Sequence, residues 1–223
     1  MIWTLLYIAV GLYILLRIGT MFWNFVNNST YPYRKHWALA VAAPMTDAQG
    51  LEGFSSPDSV DLADTCQQTL RAGLLHYLEL SPASSNEDAI RHLSRNFEAS
   101  WYRADLHSLN ADDDPRAAIA FACVRLAFFS RVLMLMKWIE PDLAWRVLLL
   151  NAQRARECFN SWEDFGQAYL AGRRQWLARF RADPLSCDLE EASVRAFTHR
   201  TGAWSFLPWS GEAPFDPQPG KTA

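Results

Sequence analysis

The feature that most constrains this chain is a continuous apolar segment at its N-terminus. Residues 2–26 read IWTLLYIAVGLYILLRIGTMFWNFV and contain one charged side chain, Arg17. A helix needs roughly 20 mostly apolar residues to cross a bilayer. Trp3 and Trp23 would lie about 30 Å apart on such a helix, one near each membrane interface. The pattern predicts a transmembrane anchor at residues 1–26 that contacts the lipid bilayer through residues 2–26.

The flanking residues favour an uncleaved anchor over a signal peptide. No Lys or Arg precedes the apolar run, and the Ala-x-Ala sequence at residues 40–42 lies well beyond it. The basic residues Arg17, Arg34 and Lys35 all lie toward the C-terminal side of the segment. Because basic residues favour the cytoplasmic side of a membrane, we expect a single-pass protein with an outside N-terminus and a cytoplasmic soluble domain.

The rest of the chain has the composition of one folded domain. Half of the sequence is apolar and the formal net charge is −3, which favours a buried core and argues against a nucleic-acid-binding protein. We assign residues 27–34 to a linker, 35–210 to a helical domain and 211–223 to a disordered tail rich in Pro and polar residues. The four cysteines form no Cys-x-x-Cys pair, so a zinc knuckle is excluded.

Apolar spacing and capping signals predict an all-α domain, with no alternating strand pattern. Helices are expected at 35–48, 59–78, 116–138, 140–159, 162–181 and 189–199. A further short helix is expected to begin at a capping box formed by Ser84 and Glu87 and to end at Arg95. An aromatic segment follows at 97–109. The stripe Leu143, Val147 and Leu150 is expected to face the core. Most of the ten tryptophans are also interpreted as core residues.

The helix predicted at 116–138 is apolar on nearly every face but contains Arg125 and Arg131. Two central arginines make membrane insertion costly, so we interpret this segment as the buried central helix of the domain. An unpaired guanidinium in such a helix would also be costly. Two interpretations remain open: internal ion pairs with Glu140, Asp142, Glu157 or Glu163, or a polar cleft that binds an anion or a partner's acidic residue.

The segment SWEDFGQAYLAGRRQW at residues 161–176 resembles the bacterial domain of unknown function family 1266. The similarity includes Trp162, Gly166, Tyr169, Gly172, Arg173 and Trp176, and weaker likeness extends over most of the soluble domain. Tyr169, Arg173 and Trp176 also fall on one helical face. The candidate binding or structural polar cluster therefore consists of Arg125, Arg131, Trp162, Tyr169, Arg173 and Trp176. The resemblance implies a helical bacterial domain and brings no settled activity.

Motifs of known chemistry are missing from the sequence. There is no glycine-rich phosphate loop, no Gly-x-Ser-x-Gly nucleophile elbow and no His-Glu-x-x-His metal motif, and the five histidines are scattered. We therefore expect no cofactor, no bound metal and no catalytic residue.

Some membrane-anchored or effector-linked proteins of the kind that this resemblance implies serve as immunity partners of secreted antibacterial toxins. We accordingly expect a non-catalytic protein-binding module at the bacterial inner membrane whose partner is a toxin that it neutralises. The alternative is an enzyme or anion-ligand receptor that uses an arginine-lined cleft. A cleft of that kind requires the guanidinium groups of Arg125, Arg131 and Arg173 to converge.

The predicted orientation can be tested with reporter fusions after Ala223. We expect green fluorescent protein to be fluorescent and alkaline phosphatase to be inactive at this position, since the positive-inside rule places the C-terminus in the cytoplasm. Lysines added before Ile2, together with replacement of Arg34 and Lys35 by Gln, place the basic residues on the N-terminal side of the segment. This reversal should raise phosphatase activity. High phosphatase activity in the unmodified chain would contradict the orientation.

Overall fold

The computed structural model describes residues 31–51, 53–97, 109–179, 190–198 and 203–209, and their regular structure is entirely helical. The described helices are α1 (Tyr31–Ala40), α2 (Ala43–Ala48), α3 (Asp64–Tyr77), α4 (Asn86–Asn96), α5 (Pro115–Leu135), α6 (Pro141–Cys158), α7 (Trp162–Arg179) and α8 (Glu190–Thr198), with a 3-10 turn at Ala203–Phe206. The predicted anchor, the predicted tail and most of the aromatic segment at 97–109 lie outside the described residues.

Helices α1 and α2 replace the single helix predicted at 35–48. The first begins at Tyr31, within the stretch assigned to the linker, and the chain turns at residues 41–42 before α2 starts. Pro44 lies in the first turn of α2. A proline has no N–H to donate and its ring clashes with the carbonyl four residues earlier, so a continuous helix through this position would be kinked or broken.

The next two helices differ from prediction at their N-termini. Helix α3 begins at Asp64 rather than at Ser59. Helix α4 is capped by Ser85, whose hydroxyl accepts from the backbone of Asp88 while the Asp88 carboxylate accepts from the Ser85 N–H. The capping box is therefore one residue later than the predicted pair, Ser84 and Glu87.

Helix α5 is the centre of the fold. The carboxylate of Asp114 caps it by accepting from the Arg116 N–H at 2.9 Å, and Pro115 occupies its first turn, which agrees with the helix predicted from residue 116. Among the described residues α5 alone is long and apolar enough to cross a membrane, but 78% of its most apolar window is buried inside the protein. It packs most extensively against α7 and α6. This burial confirms the interpretation of the segment as a core helix.

Helix α6 faces the core through a different stripe from the predicted one. Val147 is buried as expected, but Leu143 is only half-buried and Leu150 is 44% exposed. The buried face is instead made mostly of small side chains, namely Ala144, Val147, Leu148, Asn151, Ala152 and Ala155. Small residues allow α6 to approach α5 closely enough for the Asn151 amide to donate to the Cys123 carbonyl at 2.8 Å.

Four tryptophans join the two ends of the described chain to α7. The rings of Trp37, Trp204 and Trp209 lie 4.5, 5.0 and 4.8 Å from that of Trp162. Their indole N–H groups donate to backbone carbonyls: Trp162 to Leu207, Trp204 to Ala40, Trp209 to Phe159 and Trp37 to Pro208. In this tryptophan cluster every indole N–H has an acceptor. Trp37, Trp162 and Trp204 are core residues, as predicted, whereas Trp209 is partly buried and packs against the core.

Close contact between α5 and α7 depends on Gly172. A Cβ atom at this position would lie 2.1 Å from the carbonyl oxygen of Ala117 and 2.8 Å from Cβ of Phe121. Neither is the end of a flexible side chain, so the helices would have to move apart. The absence of a side chain at Gly172 therefore sets the distance between the two central helices.

We expect Gly172→Ala to lower the free energy of unfolding by about 1–3 kcal/mol or more, because the added methyl overpacks the contact. This loss should appear even though alanine favours an isolated helix by about 1 kcal/mol over glycine. Urea unfolding of the full chain in detergent micelles measures it. Arg174→Ala, at an exposed position on the same helix, is the control and should be nearly neutral. An unchanged or raised stability for Gly172→Ala would contradict this packing.

Candidate functional site

A buried carboxylate connects two of the six candidate residues. Tyr169 and Arg173 lie four residues apart on α7, and the Tyr169 hydroxyl donates to Oε2 of Glu190. The Arg173 Nε donates to the same oxygen at 3.0 Å. The Glu190 side chain is 2% exposed and that of Arg173 is 12% exposed. The result is a buried network of Tyr169, Arg173 and Glu190 that joins α7 to the first residue of α8.

Glu190 is the residue that the sequence analysis missed. The ion-pair partners expected for the arginines were Glu140, Asp142, Glu157 and Glu163, which lie closer along the chain. Two acids at the start of α8, Glu190 and Glu191, match an ordinary preference for negative charge in a first helical turn. That pattern gave no signal that one of the two side chains is buried against α7.

The environment of the network favours a protonated Tyr169. Burial raises the pKa of its hydroxyl well above the ordinary value, and the neighbouring Glu190 charge and hydrogen bond act in the same direction. The positive charges of Arg173 and Arg125 oppose this rise but do not cancel it. The hydroxyl therefore serves as a hydrogen-bond donor to the carboxylate at neutral pH.

Arg125 lies near this network and is surrounded by aromatic rings. Its guanidinium carbon is 4.4–5.4 Å from four ring centroids, those of Tyr77, Phe121, Phe129 and Trp176. Burial lowers the Arg125 pKa to about 10, while the Tyr169 and Glu190 charges oppose that change. The group stays charged at neutral pH, and the ring faces stabilise it by cation–π attraction.

Arg131 lies elsewhere. It is six positions after Arg125 on α5, so the two side chains leave the helix about 120° apart. The fully buried Arg131 donates to three carbonyls of the loop before α3, those of Phe54 at 3.2 Å, Ser56 at 2.5 Å and Ser59 at 3.0 Å. Burial lowers its pKa to about 10. Of these carbonyls only that of Ser59 lies within the helix predicted from residue 59, and it bonds to Arg131 rather than within a helix.

The six candidate residues thus occupy three places. One group forms around Glu190 and contains Tyr169, Arg173 and the neighbouring Arg125 and Trp176. In this group the ring centroid of Trp176 lies 5.6 Å from that of Phe121. Arg131 lies against the loop at 54–59, and Trp162 belongs to the tryptophan cluster. The three guanidinium groups do not face one cleft in the described part of the chain.

The chemistry available in the described ranges is limited. No group of three or more His, Cys, Asp or Glu residues there could hold a metal ion. Cys66, Cys123 and Cys158 are free thiols, and burial raises the pKa of the Cys123 thiol to about 12, so it is not a nucleophile at neutral pH. The network around Glu190 forms internal contacts that position α8 on α7.

Comparison with known proteins assigns the family. The sequence model of the family described as "Protein of unknown function (DUF1266)" matches residues 63–209. The chain belongs to the DUF1266 family. The DUF1266 match extends from just before α3 to Trp209 and includes all six candidate residues and Glu190, while α1 and α2 precede it. No curated protein and no solved structure matches the chain significantly.

The raised pKa of Tyr169 makes its contribution to stability dependent on pH. We expect Tyr169→Phe to lower the free energy of unfolding by about 1.5–3 kcal/mol at neutral pH, since it removes a hydrogen bond to a buried charge. An unfolded tyrosine loses its proton near pH 10, whereas folded Tyr169 keeps it to higher pH. The contribution is therefore fully present below about pH 10 and is lost as the pH rises further.

Urea titrations of the full chain and of Tyr169→Phe, at neutral pH and at several values above pH 10, measure this effect. The difference between the two proteins should shrink as the pH rises. A difference that stays constant over the whole range would contradict the assignment of a raised pKa to Tyr169.

Proposed function

We propose that this chain is a membrane-anchored, non-catalytic protein-binding module that acts as an immunity protein, neutralising a secreted antibacterial toxin at the bacterial inner membrane. The observation that supports this proposal is that the candidate polar residues make their hydrogen bonds and ion pairs within the domain itself. A catalytic acid, base or anion-binding group has to reach a substrate. The candidate residues instead bond to the protein's own backbone and side chains.

Two of these residues illustrate the point. Glu190 is a buried acid, but it is not available to a substrate, because one of its oxygens accepts from both Tyr169 and Arg173. Arg131 is fully buried, with three of its hydrogen bonds made to loop carbonyls. Both arrangements stabilise the fold, which leaves recognition to the outer surface of the domain. Recognition of that kind fits a protein partner better than a reaction.

The predicted anchor supports the location of this function. A tether confines the domain to the membrane, so that a partner arriving at the same membrane meets it at a high effective concentration. The proposal thus assigns a physical purpose to residues 1–26 without requiring any chemistry from them. The family description adds no activity, since DUF1266 is a family of unknown function.

A growth competition between sibling strains tests the proposal. We expect a strain that lacks the protein to be outcompeted by toxin-secreting wild-type siblings, and the full chain to restore survival. A version whose residues 1–26 are replaced by an unrelated single-pass anchor should restore survival equally. The soluble version, residues 27–223, should protect less at equal abundance, because it is no longer confined to the membrane.

The matched control is the same competition against siblings whose secretion system is disabled, where all strains should grow alike. Equal survival of the deletion strain and wild type beside secreting siblings would overturn the immunity function. Full protection by the soluble version would overturn the role of the anchor while leaving protein binding in place.

A further inference from the structure

A half-open cavity of about 380 Å³ lies between the loop at residues 57–60, the end of α5 and the start of α6. Apolar side chains make up most of its lining, among them Leu135, Ile139 and Trp145. Leu135 is 1% exposed and Ile139 is 8% exposed, so the core holds these walls in place. Cavities that bind small molecules begin at about 300 Å³, so a large apolar side chain from another protein can enter this one.

The positive charges at the cavity already have partners among the described residues. Arg131 is fully buried and donates to loop carbonyls, so it offers no contact to a ligand. Lys137 forms an ion pair with Asp61 at 2.7 Å. Lys35, on α1, lies over the ring of Trp145, with its Nζ 4.6 Å from the ring centroid. An anion therefore finds no uncommitted positive charge here.

The negative charges at the mouth are more available. Glu140 lines the cavity and is exposed, its side chain does not cap α6, and it forms no ion pair with another described residue. Asp58 and Asp142 are also exposed, and each is next in sequence to a lining residue. The charge of Asp58 acts in part on the buried Arg131, which leaves Glu140 as the principal charge of the mouth. Because exposed carboxylates attract a cation and repel an anion, the mouth is complementary to a basic group.

Val60 extends the apolar lining to the surface. It lies on the rim and is 73% exposed, more than Leu150 at 44% and Ile90 at 40%, the other exposed large apolar side chains in the described ranges. A single exposed valine is ordinary, but this one is continuous with an apolar cavity, and apolar surface with a polar rim marks contact sites for partners. The cavity thus has the apolar centre and charged edge that protein interfaces use.

We propose that this cavity is the docking site for a protein partner whose contact segment carries a large apolar side chain next to Lys or Arg. The apolar side chain packs against Leu135, Ile139 and Trp145, and the basic neighbour pairs with Glu140 at the mouth. Side chains that fill pockets of this kind contribute most of the binding energy of an interface. The inference rests on the proposed protein-binding function and adds to it the place and the chemistry of the contact.

Two peptide probes test the inference on the full chain in phosphatidylcholine nanodiscs. Each has 4-fluorophenylalanine at its centre and blocked ends, with lysine on both sides in one probe and glutamate on both sides in the other. Fluorine NMR reports binding, and empty nanodiscs correct for uptake by lipid. We expect the lysine probe to bind at least about threefold more tightly than the glutamate probe, because its charges are complementary to the mouth.

Charge substitutions at exposed positions locate the site. Glu140→Lys should reverse the preference, so that the glutamate probe binds more tightly, whereas Glu157→Lys, near the far end of the same helix, should preserve it. Val60→Lys should likewise weaken the lysine probe, and Ile90→Lys on α4 should not. All four side chains are exposed, so these replacements leave the core intact.

Equal affinities for the two probes, or a preference that Glu140→Lys leaves unchanged, would overturn the basic contact. Binding of neither probe would overturn the site itself. Binding in amphipol that is lost in nanodiscs would assign the cavity to a lipid chain instead. Binding that is lost as the concentration of the chain rises would assign it to a second copy.

The competition assay separates this inference from the immunity function. The Glu140→Lys chain should protect less well than wild type, and the Glu157→Lys chain should protect fully. Full protection by Glu140→Lys would overturn the cavity as the docking site and leave the immunity function standing. Equal survival of the deletion strain and wild type would overturn the immunity function without changing what the peptide probes report.

Discussion

The burial of α5 is the constraint on which the rest of the structure depends. This helix is apolar on nearly every face, with fifteen of its 21 residues buried, so no single neighbour can cover it. Helices α7 and α6 cover most of its surface, and Gly172 and the small residues of α6 let them approach closely. The tryptophan cluster then holds α1 and the segment at 203–209 against α7. Helices α1, α2, α6 and α8 are thus positioned, directly or through α7, by the need to keep α5 away from water.

Arg125 and Arg131 represent two solutions to the same electrostatic problem. A guanidinium leaving the surface of an apolar helix loses hydration that the protein has to replace. Arg125 replaces it with aromatic faces and with the field of Glu190, whereas Arg131 uses backbone carbonyls from the loop at 54–59. The first solution brings a negative charge close to the arginine. The second supplies neutral hydrogen-bond acceptors, while the negative charge of Asp58 also acts on the guanidinium.

The sequence predicted much of the fold because its signals are local. Asp114 with Pro115 and Ser161 with Asp164 are local signals that mark the starts of α5 and α7, the helices predicted from residues 116 and 162. Pro44 is an equally local signal for the break between α1 and α2, which the single helix predicted at 35–48 does not include. Ser84 with Glu87 and Ser85 with Asp88 both fit a capping box, so local pattern alone does not choose between neighbouring registers.

The candidate site was less predictable because its contacts join distant parts of the chain. Tyr169 and Arg173 share a helical face that periodicity identifies, but their partner Glu190 is placed by the return of the chain after α7. Arg125 and Arg131 likewise look equivalent in the sequence, as two charges in one apolar run. Only the packing of α3, α7 and the loop at 54–59 around α5 distinguishes their surroundings.

The hydrogen bonds of Arg131 explain why a charged residue can occupy a buried position on α5. Replacing buried charged groups with apolar residues of similar volume is often neutral or stabilising, so a leucine or methionine could cover this part of α5 at lower electrostatic cost. Such a residue would leave the carbonyl of Phe54 without its Arg131 donor, and Phe54 is 0% exposed. A buried carbonyl without a partner costs about 1–3 kcal/mol. Three hydrogen bonds from one side chain thus hold the loop at 54–59 against α5, and an apolar residue at position 131 could not make them.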